Sequence, residues 1–168
     1  MSTTGARAAG STTTAGHDHH DDRGMTPAQL YCLIAGLALL LAGIFGFFAD
    51  ATFDLSTTSD PEGGNVGGML QGDSFLGFEV NGWHNVVHLA SGLLLLGAFR
   101  SRKAAKTVAL AFGLVYAVVA VIGLIDGNDV LGIIPVNPAD NILHIALAAL
   151  GIIAGLISRP KREDRDRV

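Results

Sequence analysis

Four apolar runs, at residues 28–49, 83–99, 104–125 and 139–157, restrict the fold of this chain more than any other feature. Each is close to the ~20 residues that carry an α-helix across ~30 Å of hydrocarbon at ~1.5 Å per residue. The helices of a soluble protein keep a polar stripe for water, whereas these runs are apolar almost all round. With only 15% of residues charged, the chain has too little polar surface to cover four such helices, and the lipid bilayer is its expected partner. The expected fold class is an all-α membrane protein, a four-transmembrane-helix bundle. Its 22 glycines would weaken helices in water but suit close helix packing in lipid. Small residues at interface spacing support this: Ala38, Ala42 and Gly46; Ala105, Ala109, Gly113 and Ala117; Gly151 and Gly155. The single cysteine, Cys32, lies inside an apolar run and reads as a packing residue; no intramolecular disulfide can form.

Charge sets the expected orientation. All 11 basic residues fall in three places: Arg7 and Arg23; Arg100, Arg102, Lys103 and Lys106; and Arg159, Lys161, Arg162, Arg165 and Arg167. The other two loops carry acids alone, Asp50, Asp54, Asp60, Glu62, Asp73 and Glu79 in one, Asp126, Asp129 and Asp140 at the other. By the positive-inside rule the basic segments are cytoplasmic, which gives a multi-pass plasma-membrane protein with both termini inside. Residues 1–27 form a polar tail, expected to be disordered, in which His17, Asp18, His19, His20, Asp21 and Asp22 cluster; residues 28–158 form the transmembrane domain, and 159–168 a basic cytoplasmic tail. A cleaved signal peptide is the other reading of the first run. Its apolar core is longer than a signal h-region of ~7–15 residues, and it follows a long polar tail. Nothing resembles a nucleic-acid-binding face, because the basic groups are short and flank apolar helices.

Shifting the sequence by 56 lays Val80, Asn81, Asn85, His88 and Ala90 over Val136, Asn137, Asn141, His144 and Ala146, five identities in eleven positions. His84 falls over Asp140. A shift of 77 lays Gly36-Leu37 over Gly113-Leu114 and Gly46 over Gly123. The bundle therefore reads as two parallel two-helix repeats, with an insertion around Asp60-Pro61-Glu62-Gly63-Gly64 and Gly67-Gly68 in the first outer loop. The same argument favours retention of the first run, since its counterpart stays in the membrane.

Residues three and four apart share a helix face, so His84, Asn85 and His88 cluster on the second helix, and Asp140, Asn141 and His144 on the fourth. Trp83 is placed as an aromatic anchor at the outer surface. The leading reading is a structural or partner-binding bundle in which Asn81, Asn85, His88, Asn137, Asn141 and His144 form an interhelical contact between helices two and four. Homo-oligomers or other membrane proteins are the partners this reading allows. A metal or haem site is the alternative, with His84, His88, Asp140 and His144 as metal ligands, or His88 and His144 as haem axial ligands. A small transporter or transporter subunit is the third reading, though no run carries a mid-membrane charge or a mid-helix proline. Without Gly-x-Ser-x-Gly, a zincin motif or a Cys/His nucleophile pair, the sequence points away from an enzyme.

The Asn-x-x-His helix starts at Val80–His88 and Val136–His144, each after an outer Leu-Gly (Leu76-Gly77 and Leu131-Gly132), resemble a bacterial, mainly actinobacterial family, domain of unknown function 4383. The resemblance covers roughly residues 30–157. It implies a small multi-pass plasma-membrane protein with four spans, and implies no mechanism. The His/Asp-rich tail and the Gly-rich outer loop depart from the family pattern.

Overall fold

Helix-start chemistry shapes both ends of the fold. The computed structural model describes residues 24–53, 74–126 and 129–159. The histidine-rich segment, the glycine-rich insertion and the basic C-terminal segment lie outside the described residues. Helix α1 (Pro27–Ala49) begins at a Thr26 N-cap, with Pro27 at its first position and Gln29 closing a capping box. α2 (Gly82–Ala98) is capped by Asn81 and α4 (Pro138–Ile157) by Asn137. α3 (Arg102–Asp126) starts after Ser101, whose hydroxyl accepts from the Ala104 N–H.

α1, α3 and α4 are long and apolar enough to cross a membrane. α2 has 17 residues, ~25 Å of helix, and is shorter than the hydrocarbon it would cross. Large apolar side chains cover the outside of the molecule: Leu93, Leu124, Ile125, Ile142 and Leu156 are all more than 60% exposed, a surface that only lipid or another apolar body satisfies.

α1 packs chiefly against α2, and α3 against α4. Both pairs are antiparallel. In the first, the Gln29 amide at the start of α1 donates to the Phe99 carbonyl beyond the end of α2 (2.9 Å), while Asn85 near the start of α2 reaches Asp50 after the end of α1. Close backbone approach holds each pair together. A Cβ at Gly92 would come within 2.6 Å of the Leu40 backbone nitrogen, and one at Gly113 within 2.8 Å of the Ile152 nitrogen. Of the small-residue stripe expected on α1, Gly46 faces inward, Ala42 is half-buried and Ala38 does not face inward. Gly36, Leu39, Gly43 and Gly46 face inward, whereas Ala38 is exposed, because the helix turns its glycines rather than its alanines toward α2.

The pairs join through a core of Tyr31, Cys32, Ala35, Ala105, Ala109, Phe112 and Tyr116. Cys32 is wholly buried with Sγ 3.6 Å from the Ala105 carbonyl, a packing position. The Tyr31 hydroxyl donates to the Leu147 carbonyl at 2.9 Å, tying α1 to α4. At the α1 N-terminal end, Ser158 gathers the chain: its hydroxyl accepts from the Ala28 N–H (2.8 Å) and its carbonyl from Lys106 Nζ (2.9 Å).

The chain is mostly helical but not wholly so. Two hairpins of two-residue strands precede α2 and α4: β1 (Ser74–Phe75) with β2 (Phe78–Glu79), and β3 (Asp129–Val130) with β4 (Ile134–Pro135), both antiparallel. Their turns hold Leu76 (φ 54°) and Gly77 (φ 87°) in one, Leu131 (φ 60°) and Gly132 (φ 68°) in the other. Positive φ is free for glycine and costly for leucine, so both turns carry strain at the same place.

Candidate functional site

The repeated asparagines at the helix starts brace the hairpins. Asn81 Oδ1 accepts from the His84 N–H at 2.8 Å, and Asn137 Oδ1 accepts from the Ala139 and Asp140 N–H groups at 2.9 and 3.0 Å. Their amide nitrogens cross over: Asn81 Nδ2 donates to the Ile133 carbonyl of the second hairpin, and Asn137 Nδ2 to the Gly77 carbonyl of the first, each at 2.8 Å. Asp140 completes the brace, its Oδ2 accepting from the Asn137 and Glu79 N–H groups at 3.0 Å. That carboxylate is engaged by backbone donors and does not stand within the histidine group below.

Asn85 and Asn141, one turn further on, are each directed to the preceding helix rather than to one another. Asn85 Nδ2 donates to the Asp50 carbonyl at 2.7 Å, and Asn85 Oδ1 lies against Gly46 so closely that a Cβ there would overlap it. Asn141 Oδ1 meets Gly123 of α3 in the same way. Among the described residues neither Oδ1 accepts an N–H or O–H, so Asn85 and Asn141 are not hydrogen-bonded to each other.

The histidines do converge across the two pairs. His84, His88 and His144 are 2%, 7% and 4% exposed, and one ring nitrogen from each lies within 4.8 Å of the others. His84 Nδ1 is 2.8 Å from the Glu79 carbonyl; a carbonyl only accepts, so Nδ1 carries the proton and Nε2 presents its lone pair. That Nε2 lies 3.1 Å from His88 Nε2. Nδ1 of His88 and Nδ1 of His144 are buried and have no hydrogen-bond partner among the described residues. The Tyr116 ring meets His144 edge-on at 5.3 Å between centroids and stacks on Phe112 at 4.2 Å, which fixes the imidazole from the α3 side.

A cavity of about 290 Å³ runs between α2 and α3 and ends on all three histidines; apart from Ser91 and Tyr116 its remaining lining is apolar. Sequence reasoning had no means to find the Glu79 carbonyl or Tyr116. A backbone acceptor carries no residue signal, and Tyr116 reaches the site from the third apolar run through packing alone.

Fold and cluster together define a mostly helical protein with three helices long and apolar enough to cross a membrane and a buried histidine centre. The chain belongs to the family described as domain of unknown function DUF4383, which matches residues 29–157. No curated protein and no solved structure matches the chain.

Proposed function

We propose that this protein is a four-span plasma-membrane protein that binds a divalent transition-metal ion through His84, His88 and His144. The observation that carries the reading is the convergence of three buried imidazoles from two helices, with ring nitrogens within 4.8 Å. Ligands ~2.0–2.1 Å from a tetrahedral ion stand ~3.3 Å apart. The His84–His88 separation of 3.1 Å is close to that, and the His144 nitrogen lies within 4.8 Å of both. Neutral imidazole without thiolate suits Zn, Cu, Ni or Fe, and three protein ligands leave a fourth position open toward the cavity. The His84 Nδ1–H held by a backbone carbonyl is the outer contact that orients a ligating histidine. Haem fits less well: a macrocycle needs a slot between its axial ligands, and His84 stands against His88 on α2.

In this reading the duplicated motif divides its labour. Asn81, Asn85, Asn137 and Asn141 hold the helices, while the histidines bind. The transmembrane unit is residues 28–158, built as two parallel repeats of helix, hairpin and helix, with α2 as the fourth span. Matching turns, caps and asparagine–glycine contacts in the two halves support that arrangement. The hairpins and the histidine centre then face outward, and the basic segments and both tails lie in the cytoplasm, as the charge distribution favours.

The test is elemental analysis of the full chain carrying alanine at positions 17, 19 and 20, purified without chelators. About one ion per chain is expected, with loss in His88→Ala and His144→Ala but retention in Asp140→Asn. A preparation that stays empty after addition of Zn, Cu, Ni and Fe, with no gain in thermal stability, would overturn the reading. An ion binding only the folded state stabilises it by about 2.7 kcal/mol at a hundredfold excess over its Kd.

A further inference from the structure

The cavity beside the histidines is long, and its two ends differ. From His84 to Leu94 along α2 is about 15 Å at ~1.5 Å per residue, and Val119 to Val108 covers a similar length of α3. Val87, Leu94 and Val115 on its rim are 40%, 57% and 58% exposed, so it opens along its length on the outer, apolar surface, in the seam left where α2 packs on α1 and α3 on α4. Its floor at one end holds His88 and His144, each more than nine-tenths buried and each with an Nδ1 that has no partner among the described residues. A polar end and an apolar length describe the complement of an amphiphile.

We propose that this cavity binds a single-chain fatty acid, its carboxylate at the histidines and its chain along α2 and α3. The volume, about 290 Å³, is at the small end of ligand pockets and takes one chain rather than a two-chain phospholipid. The choice of a carboxylate rests on the metal reading. Three neutral imidazoles leave the charge of a divalent ion uncompensated at an apolar site, and the neighbouring acid, Asp140, is engaged by backbone N–H groups. An anionic oxygen entering from the cavity fills the open coordination position and offsets that charge. With the hairpins outward, head and tail also point as in a lipid of the outer leaflet, so the acid enters sideways from the bilayer without turning over.

The experiment uses the full-length protein in phosphatidylcholine nanodiscs and palmitic acid bearing a photoreactive diazirine near its chain end. Labelling is expected to concentrate around Leu94, Val108 and Val115. Unlabelled palmitic acid should compete, and methyl palmitate, which lacks the charge, about tenfold more weakly. Ala111→Phe and Val115→Trp, which fill the cavity from its rim, should each reduce labelling about tenfold with metal content and oligomeric state unchanged. Labelling spread equally over α1 and α4, equal competition by the methyl ester, or unaltered labelling in both filled variants would overturn the proposal. So would a change of oligomeric state in those variants with labelling preserved, which would assign the seam to a second copy of the chain. Metal is measured in the same samples: carboxylate-selective labelling of metal-free protein would bring down the metal reading alone, and metal without selective labelling this one alone.

Discussion

The duplicated Asn-x-x-His motif is two devices sharing one helix turn. Asn85 and Asn141 place an amide oxygen where only glycine leaves room, at Gly46 and Gly123. Gly46→Ala and Gly123→Ala are therefore expected to push the paired helices apart and destabilise the protein by roughly 1–3 kcal/mol each, measured by thermal unfolding in detergent, whereas Ala38→Gly on the exposed face should change little. The residues of this motif were legible because scarce polar types recur inside apolar runs at a fixed offset. Their partners were not. Periodicity places Asn85 and His88 on one face of a helix, but it does not say which neighbouring helix each side chain meets. Asn85 thus faces α1 while His88 joins the centre shared with α4. The stripe read on α1 was Ala38, Ala42 and Gly46; Gly46 does face α2, where the Asn85 side chain meets it, but Ala38 does not.

At the level of elements, the apolar runs gave the helices within a few residues, since each run is bounded by polar, glycine or proline residues. The hairpins were hidden because strands of two residues show no alternation. Only the Leu-Gly pairs marked their turns, through the glycine. Each hairpin is tied to the other half by one asparagine amide, so Asn81→Asp, which keeps a capping oxygen but removes the donor to Ile133, isolates that tie. Faster amide hydrogen exchange around residues 129–135 is the expected outcome, with α2 itself still protected; unchanged exchange there would contradict the brace. At the opposite end Ser158→Ala leaves the buried Ala28 N–H without its acceptor, an expected loss of about 1–3 kcal/mol seen in the melting temperature. Ser158 gave no sequence signal, being one hydroxyl beside a basic tail.

For the whole molecule, the segregation of basic residues predicts which side of the bilayer holds the histidine centre. In a Cys32→Ala background, an impermeant thiol reagent applied to intact cells should modify cysteine placed at Leu131, in the exposed second turn, and spare cysteine placed at Ser101. The reverse pattern would invert the topology and put the histidine centre on the cytoplasmic side. The division of labour between asparagine and histidine is tested most directly by one comparison: thermal unfolding of wild type, Asn85→Ala and His88→Ala, each with and without added zinc at a hundredfold excess. Wild type should gain stability from zinc. Asn85→Ala should unfold at a lower temperature yet keep the gain, and His88→Ala should unfold near the metal-free wild type with the gain abolished. A zinc response that survives in His88→Ala, or one lost equally in both variants, would contradict it.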